Sequence, residues 1–294
     1  MHPAPSVILF TVLSGAGFGT LILLGLGLAL PFGLEAAFLW GAGYALAVSG
    51  LLASTFHLGN PQRALLAFTQ WRTSWLSREG WAAVGALAML APLALASVFG
   101  GGLPAAFGIT GAAVALLALF STGMIYAQLR TVPRWNHWTT PSLFLAYALT
   151  GGATLVGLPY LAGLLCLILA VLQVVAWRLG DGRFAARGST LGTATGLKGN
   201  LRSFAPPHTG TNYLMREMIH VVGRRHAARL RWITILFAAL VPGMIVILLP
   251  DRFSAHLLAF VLHLVGAASG RWLFFAEAEH VVGLYYGAHD GAGN

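Results

Sequence analysis

Charge is what this sequence has least of. Only 9% of its 294 residues are Asp, Glu, Lys or Arg, against about 25% in soluble domains, whose surfaces must meet water. So poor a supply excludes a soluble globular protein. Acids are scarcest, 8 against 17 Lys and Arg. A single cysteine, Cys166, lies inside an apolar run, so there is no internal disulfide and no cysteine cluster for zinc or an iron–sulfur centre. Cys166 reads as a small packing residue. A cleavable leader is also missing: MHPAPS carries no positive residue, and the first apolar run is long enough to remain as a span.

What the chain has is grease. Apolar residues make up 57% of it and the mean hydropathy is +0.78. A spanning helix needs roughly 20 apolar residues, and about eight runs qualify: 6–30, 37–58, 80–99, 104–128, 139–157, 160–179, 231–249 and 253–275. Pro31, Pro61, Pro104, Pro141, Pro159 and Pro250 punctuate their ends, as helix boundaries require. The fold class is all-α, a polytopic membrane bundle of about eight transmembrane helices, forming one domain over residues 1–294.

The net charge of +9 is a topology signal, not a nucleic-acid footprint, because the basic residues sit between spans. Three (Arg63, Arg72, Arg78) fall in the second connection and two (Arg130, Arg134) in the fourth. Ten (Arg178, Arg183, Arg187, Lys198, Arg202, Arg216, Arg224, Arg225, Arg229, Arg231) fall in or beside the sixth. With an even number of spans these share a face with both termini. The opposite face has Arg252, balanced by Glu35 and Asp251. The positive-inside rule then places both termini and the fifteen basic residues in the cytoplasm of a bacterial inner membrane.

The sixth connection, residues 180–229, is the one long loop. Its first half has too few large apolar residues to fold alone. TATGLKGN lacks the spacing and the preceding strand of a phosphate loop. The second half, LMREMIHVVGRRHAARLR, reads as a basic amphipathic helix on the bilayer surface. Such a segment docks a peripheral subunit or touches lipid.

His57 closes the second span, and Asn60-Pro61 stops the helix just beyond it. A histidine at membrane depth exchanges protons near neutral pH, which suits a quinone carbonyl; capping helix carbonyls is the plainer use. Ala64, Phe68, Trp71 and Trp75 follow at i, i+4, i+7 and i+11, one face of a helix. That helix would lie among the headgroups and roof a pocket near His57, with Arg63, Arg72 and Arg78 facing a partner or phosphates; an aromatic belt with arginine anchors gives the same pattern. Glu79 opens the third span as a proton relay or as a dipole-favoured cap. Near the C-terminus, Glu277 and His280 have di-iron spacing, but the second motif and extra glutamates are absent; pairing with Arg271 or contact with a partner fits better. His57, His137, His256, His263 and His280 form no pair whose spacing favours haem.

At these residues a resemblance enters. STFHLGNPQRALLAF with SWLSRE resembles the membrane-anchor subunits of dimethyl sulfoxide reductase-type molybdoenzymes. RWLFFAEAEHVVGLYYG is similar to the tail of the branch found with sulfite dehydrogenases. The likeness covers nearly the whole chain. It implies an anchor without substrate chemistry of its own, set beneath a molybdopterin catalytic subunit and a four-cluster iron–sulfur subunit. The anchor exchanges electrons with ubiquinone or menaquinone and typically carries no haem or metal. It also implies that His57 belongs to the quinone site and that Glu79 takes part; Arg63, Trp71, Arg72, Trp75 and Arg78 come from the pocket argument alone. A cytoplasmic docking face agrees with sulfite oxidation, a periplasmic one with an anchor oxidising quinol for dimethyl sulfoxide or related S- or N-oxides. A secondary transporter is the other class; it calls for repeats and polar residues near the midplane, whereas these spans keep ionisable residues at their ends.

Overall fold

In a computed structural model of the chain, residues 4–56, 60–199, 201, 204, 210, 212–217 and 226–286 are described. Among them there is no strand. Eight long helices carry the fold: α1 (Pro5–Gly25), α2 (Leu34–Thr55), α3 (Trp75–Phe99), α4 (Ala105–Ala127), α5 (Thr139–Val156), α6 (Pro159–Asp181), α7 (Ala227–Leu248) and α8 (Phe253–Ala276). Seven of them, all but α5, combine the length and apolar composition needed to cross a membrane. The expectation of about eight spans is close, with α5 the one long helix less apolar than the rest. Thr139, Thr140, Ser142, Thr150 and Thr154 dilute its hydropathy, which α5 tolerates because nearly all of it is buried by protein.

The centre of the bundle is α1, packed on α2, α4, α5 and α8. Small residues let the backbones meet. A Cβ at Gly19 would collide with the Ala148 carbonyl, and one at Gly50 with the backbone of Ser14. Hydroxyls inside the helices bond back along the chain, Ser14 to the Phe10 carbonyl at 2.6 Å and Thr154 to the Thr150 carbonyl at 2.8 Å, so they add little polar surface to satisfy.

Helix α7 contains a π-helical turn, Leu236–Leu240, ahead of Pro242. Proline has no N–H, so the carbonyl four residues earlier, that of Ala238, loses its helical donor. His263 of α8 sits 2.7 Å from that oxygen through Nδ1 and 3.1 Å from the Tyr147 carbonyl of α5 through Nε2. His256 likewise lies 3.3 Å from the Thr154 carbonyl and 2.9 Å from that of Pro250. Both histidines tie helices together.

Two boundaries move in ways that matter for function. Helix α3 starts at Trp75, so Glu79 stands in its second turn and does not open it. Residues 61–75 also form no continuous amphipathic helix. Pro61–Phe68 is a 3-10 helix, a turn follows, and Trp75 already belongs to α3. Asn60-Pro61 favours the tight start, and Thr69 bonds its own preceding turn at the Leu66 carbonyl, which ends it. Of the expected surface helix of the long loop, residues 214–231, the start lies in a short helix Tyr213–Glu217, 218–225 lie outside the described residues, and from Ala227 the chain is part of α7.

Candidate functional site

The segment after α2 folds back onto α3. The indole N–H of Trp81 donates to the Phe68 carbonyl at 2.9 Å, and the two rings meet edge to face with centroids 5.4 Å apart. Arg78 secures the intervening turn by donating to the Trp71 carbonyl at 3.0 Å and the Arg72 carbonyl at 2.6 Å. Its guanidinium also lies 4.4 Å from the centre of the Trp75 ring, which in turn packs edge-on against Phe120 of α4. Phe68, Trp71, Arg78, Trp81, Ala82 and Leu117 thereby enclose an open cavity of about 540 Å³. Its walls are mostly aromatic and apolar, with Arg78 the charged exception.

Glu79 points away from solvent, 5% exposed. The Thr122 hydroxyl of α4 lies 2.5 Å from its Oε1 and 3.0 Å from the Ala118 carbonyl. Thr122 has one hydroxyl hydrogen. It satisfies both oxygens fully only if the carboxyl group brings a hydrogen of its own. A helix cap places a carboxylate at a terminus; Glu79 is instead buried between two helices with a hydroxyl partner, so capping is not its use.

At the same end of the bundle four charges form a closed ring. Arg134, in the α4–α5 connection, reaches Asp181 at 2.6 Å and Glu277 at 3.2 Å; Arg231 of α7 reaches Asp181 at 2.5 Å and Glu277 at 2.8 Å. Glu277 thus pairs with Arg134 and Arg231, and not with Arg271 as its spacing suggested. Arg271 points into the bundle, its guanidinium 3.6 Å from the centre of the Phe144 ring. Around the ring the loops lock together. Arg183 donates to the Asn136 carbonyl at 3.0 Å, the Val281 N–H to the Thr131 carbonyl at 2.9 Å, and the Tyr285 hydroxyl to the Ala194 carbonyl at 2.5 Å. Burial, and then the nearby Arg183, hold the His137 imidazole below its ordinary value, and burial does the same for His280. Among the described residues no three His, Cys, Asp or Glu are gathered to hold a metal ion.

Of the residues singled out from sequence, Trp71 and Arg78 line the aromatic cavity, Trp75 and Glu79 lean on α4, and Arg72 lies 5.4 Å from the Trp71 ring centre. Arg63 is exposed on the 3-10 helix. His57 lies outside the described residues, three positions before Asn60. Trp81, Leu117 and Thr122 were not anticipated. Trp81 is an aromatic one turn past the Arg78 anchor, a usable signal; Leu117 and Thr122, on another helix, have none.

Over residues 1–287 the chain matches the family described as DMSO reductase anchor subunit (DmsC). It is also similar to a sulfite dehydrogenase subunit from Allochromatium vinosum, 33% identical, over 97% of this chain and 99% of that one.

Proposed function

This chain belongs to the DMSO reductase anchor subunit family, and on that premise we propose that it is the quinone-reactive anchor of a molybdopterin and iron–sulfur oxidoreductase that oxidises sulfite in the cytoplasm. The observation that carries the quinone assignment is the aromatic cavity of about 540 Å³ lined by Arg78 and Ala82, which flank Glu79 along α3. A volume of about 300–1,000 Å³ with apolar walls and few polar groups suits a flat organic ring, so these residues fit a quinone. A bound quinone supplies the exchange of two electrons and two protons.

The chain's own residues have separable tasks. Phe68, Trp71 and Trp81 provide faces for stacking and exclude water. Arg78 fixes the turn that carries Trp71. Glu79 holds a proton one turn from Ala82 on the cavity wall, and Thr122 keeps its carboxyl group in place. His57, two positions after Thr55 in the sequence, is assigned as hydrogen-bond partner of a quinone oxygen. Electrons arrive from an iron–sulfur subunit docked on the end formed by Arg134, Arg183, the helix Leu191–Thr195 and the tail Val281–Tyr286.

The sulfite assignment follows the Allochromatium vinosum relative and the clustering of basic residues at that end. The family's name supports a second reading, an anchor that oxidises quinol for reduction of dimethyl sulfoxide or a related oxide on the periplasmic side. Purification of the chain from its native membrane tests the shared core of both. Molybdenum and iron are expected to copurify in fixed ratio to the chain. A metal-free chain that moves a solute across liposomes would make it a transporter.

A further inference from the structure

Arg271 is a cation inside a membrane-crossing helix. It is 3% exposed, and among the described residues no carboxylate lies within ion-pair distance of it. Aromatic rings cover part of it, Phe144 at 3.6 Å and Tyr147 at 5.1 Å from their centres. Cation–π contact leaves the five N–H donors at the edge of the guanidinium unused, and none finds an acceptor among the described residues. An arginine does not escape by losing its proton. A charge held this way calls for a counter-charge or strong hydrogen-bond acceptors.

The space beside it is walled partly by polar side chains and partly by Leu143, Ala176, Trp177 and Phe274. A cavity of about 40 Å³ is lined by Arg271 together with Arg134, Thr139, Thr140, Tyr147, Gln173 and Glu277, and a smaller one of about 10 Å³ lies on the other side of Arg271, toward Thr11 and His263. The carboxylate and amide oxygens in the larger cavity are already engaged. Both oxygens of Glu277 serve Arg134 and Arg231, and Gln173 Oε1 accepts the Tyr147 hydroxyl at 2.8 Å. Thr140 donates to the Trp135 carbonyl at 2.8 Å. Beside the hydroxyl oxygens of Thr140 and Tyr147, which have given up their own hydrogens, stand the unspent charged and amide donors: the guanidinium of Arg271 and the amide nitrogen of Gln173, itself 6% exposed. The charges tell the same story. Arg134 and Arg231 cancel Asp181 and Glu277, so Arg271 adds one positive charge that no described residue offsets.

We infer that this cavity is a binding site for a small inorganic monoanion of the halide class, held by the Arg271 guanidinium and the Gln173 amide. The anion accepts hydrogen bonds and donates none, which matches a donor-rich wall, and it brings the missing negative charge. The volume holds roughly three water-sized occupants, room for a halide with a water or two and too little for a large organic acid. Water alone would relieve the donors but leave the charge.

The test uses the full chain purified in detergent, melted while chloride replaces gluconate at constant ionic strength. The midpoint is expected to rise with chloride and saturate, bromide to act alike, and Arg271→Met to abolish the dependence. Should Arg271→Met fail to fold, Gln173→Leu keeps the charge and is expected to raise the half-saturating chloride concentration about tenfold. Crystals grown in bromide locate the ion without any variant, through anomalous scattering beside the guanidinium. A midpoint indifferent to halide, or a rise that never saturates and persists unchanged in both variants, overturns the assignment, as does water alone at the site in bromide.

Discussion

Arg231 grips Asp181 with two guanidinium nitrogens, at 2.8 and 2.5 Å, across fifty residues of intervening chain. Asp181 is the last residue of α6 and Arg231 lies near the start of α7, so the long loop leaves and returns at one point. Arg134 and Glu277 complete the ring and bring in the α4–α5 connection and the end of α8. Four elements are thereby fixed at the end where a partner would dock.

The two acids of the ring are not equivalent. The Glu277 side chain is 5% exposed and that of Asp181 47%. Glu277→Gln removes the buried half of the ring and is expected to cost about 3 kcal/mol, whereas Asp181→Asn, largely in water, costs about 1 kcal/mol or less. Thermal unfolding of the purified chain measures the difference; equal losses would mean that the ring is uniformly solvated.

Docking predicts protection. Arg187 and Lys198 are exposed in the free chain, within the 180–215 stretch whose composition cannot bury a core by itself. Trypsin is expected to cut after both in the isolated chain and much more slowly in the purified complex. Equal rates would remove this loop from the interface.

Much of this architecture could be read from the sequence because a spanning helix announces itself by length and apolar composition. The runs at 104–128, 160–179 and 253–275 match α4, α6 and α8 within a few residues. Reading failed where tertiary contacts overrode the local pattern. Ser77, Arg78 and Glu79 look like loop, yet they belong to α3 because Arg78 is spent on the turn before it and Glu79 on α4. The spacing of Ala64, Phe68, Trp71 and Trp75 was real, but the chain turns at Thr69–Thr73 and uses the aromatics on separate elements. Of the two uses weighed for Glu277, a partner contact and pairing with Arg271, the latter fails, since the arginines it meets lie 143 and 46 residues away. The aromatic cavity was legible as a neighbourhood, through Trp71 and Arg78, and its α4 wall, Leu117, was not.

Thr122 offers a graded test of Glu79. Thr122→Ser keeps the hydroxyl and is expected to retain quinone-linked turnover close to the parent. Thr122→Val removes it, leaves the carboxyl group without a partner, and should slow that turnover about tenfold or more while assembly is unchanged. The carboxylic C=O stretch of Glu79, identified by its loss in Glu79→Gln, should shift in Thr122→Val. Full quinone-linked activity in Thr122→Val would leave the hydrogen bond as packing only.

The loop end of the bundle should weaken in acid. His137 and His280 have folded values held below the ordinary imidazole value of about 6.5. The unfolded chain therefore binds more protons, so stability is complete above that value and falls as pH drops below it. Amide exchange in residues 130–139 is expected to quicken below about pH 6.5, less so in His137→Gln. Exchange independent of pH, once the intrinsic chemistry is corrected, would count against this.

Sidedness distinguishes the two oxidoreductase readings. A fluorescent, phosphatase-negative result is expected for reporters fused after Asn294 and within the α6–α7 loop, placing that end in the cytoplasm. Phosphatase activity at both sites would return the chain to the oxide-reducing arrangement.

In the proposed complex electrons reach quinone in this chain and substrate is handled elsewhere. This division is tested most directly by the purified complex carrying His57→Ala, assayed with sulfite once against a quinone and once against a soluble artificial acceptor. Loss of quinone-linked turnover is expected, with artificial-acceptor activity intact. Quinone-linked turnover that survives His57→Ala would contradict this division.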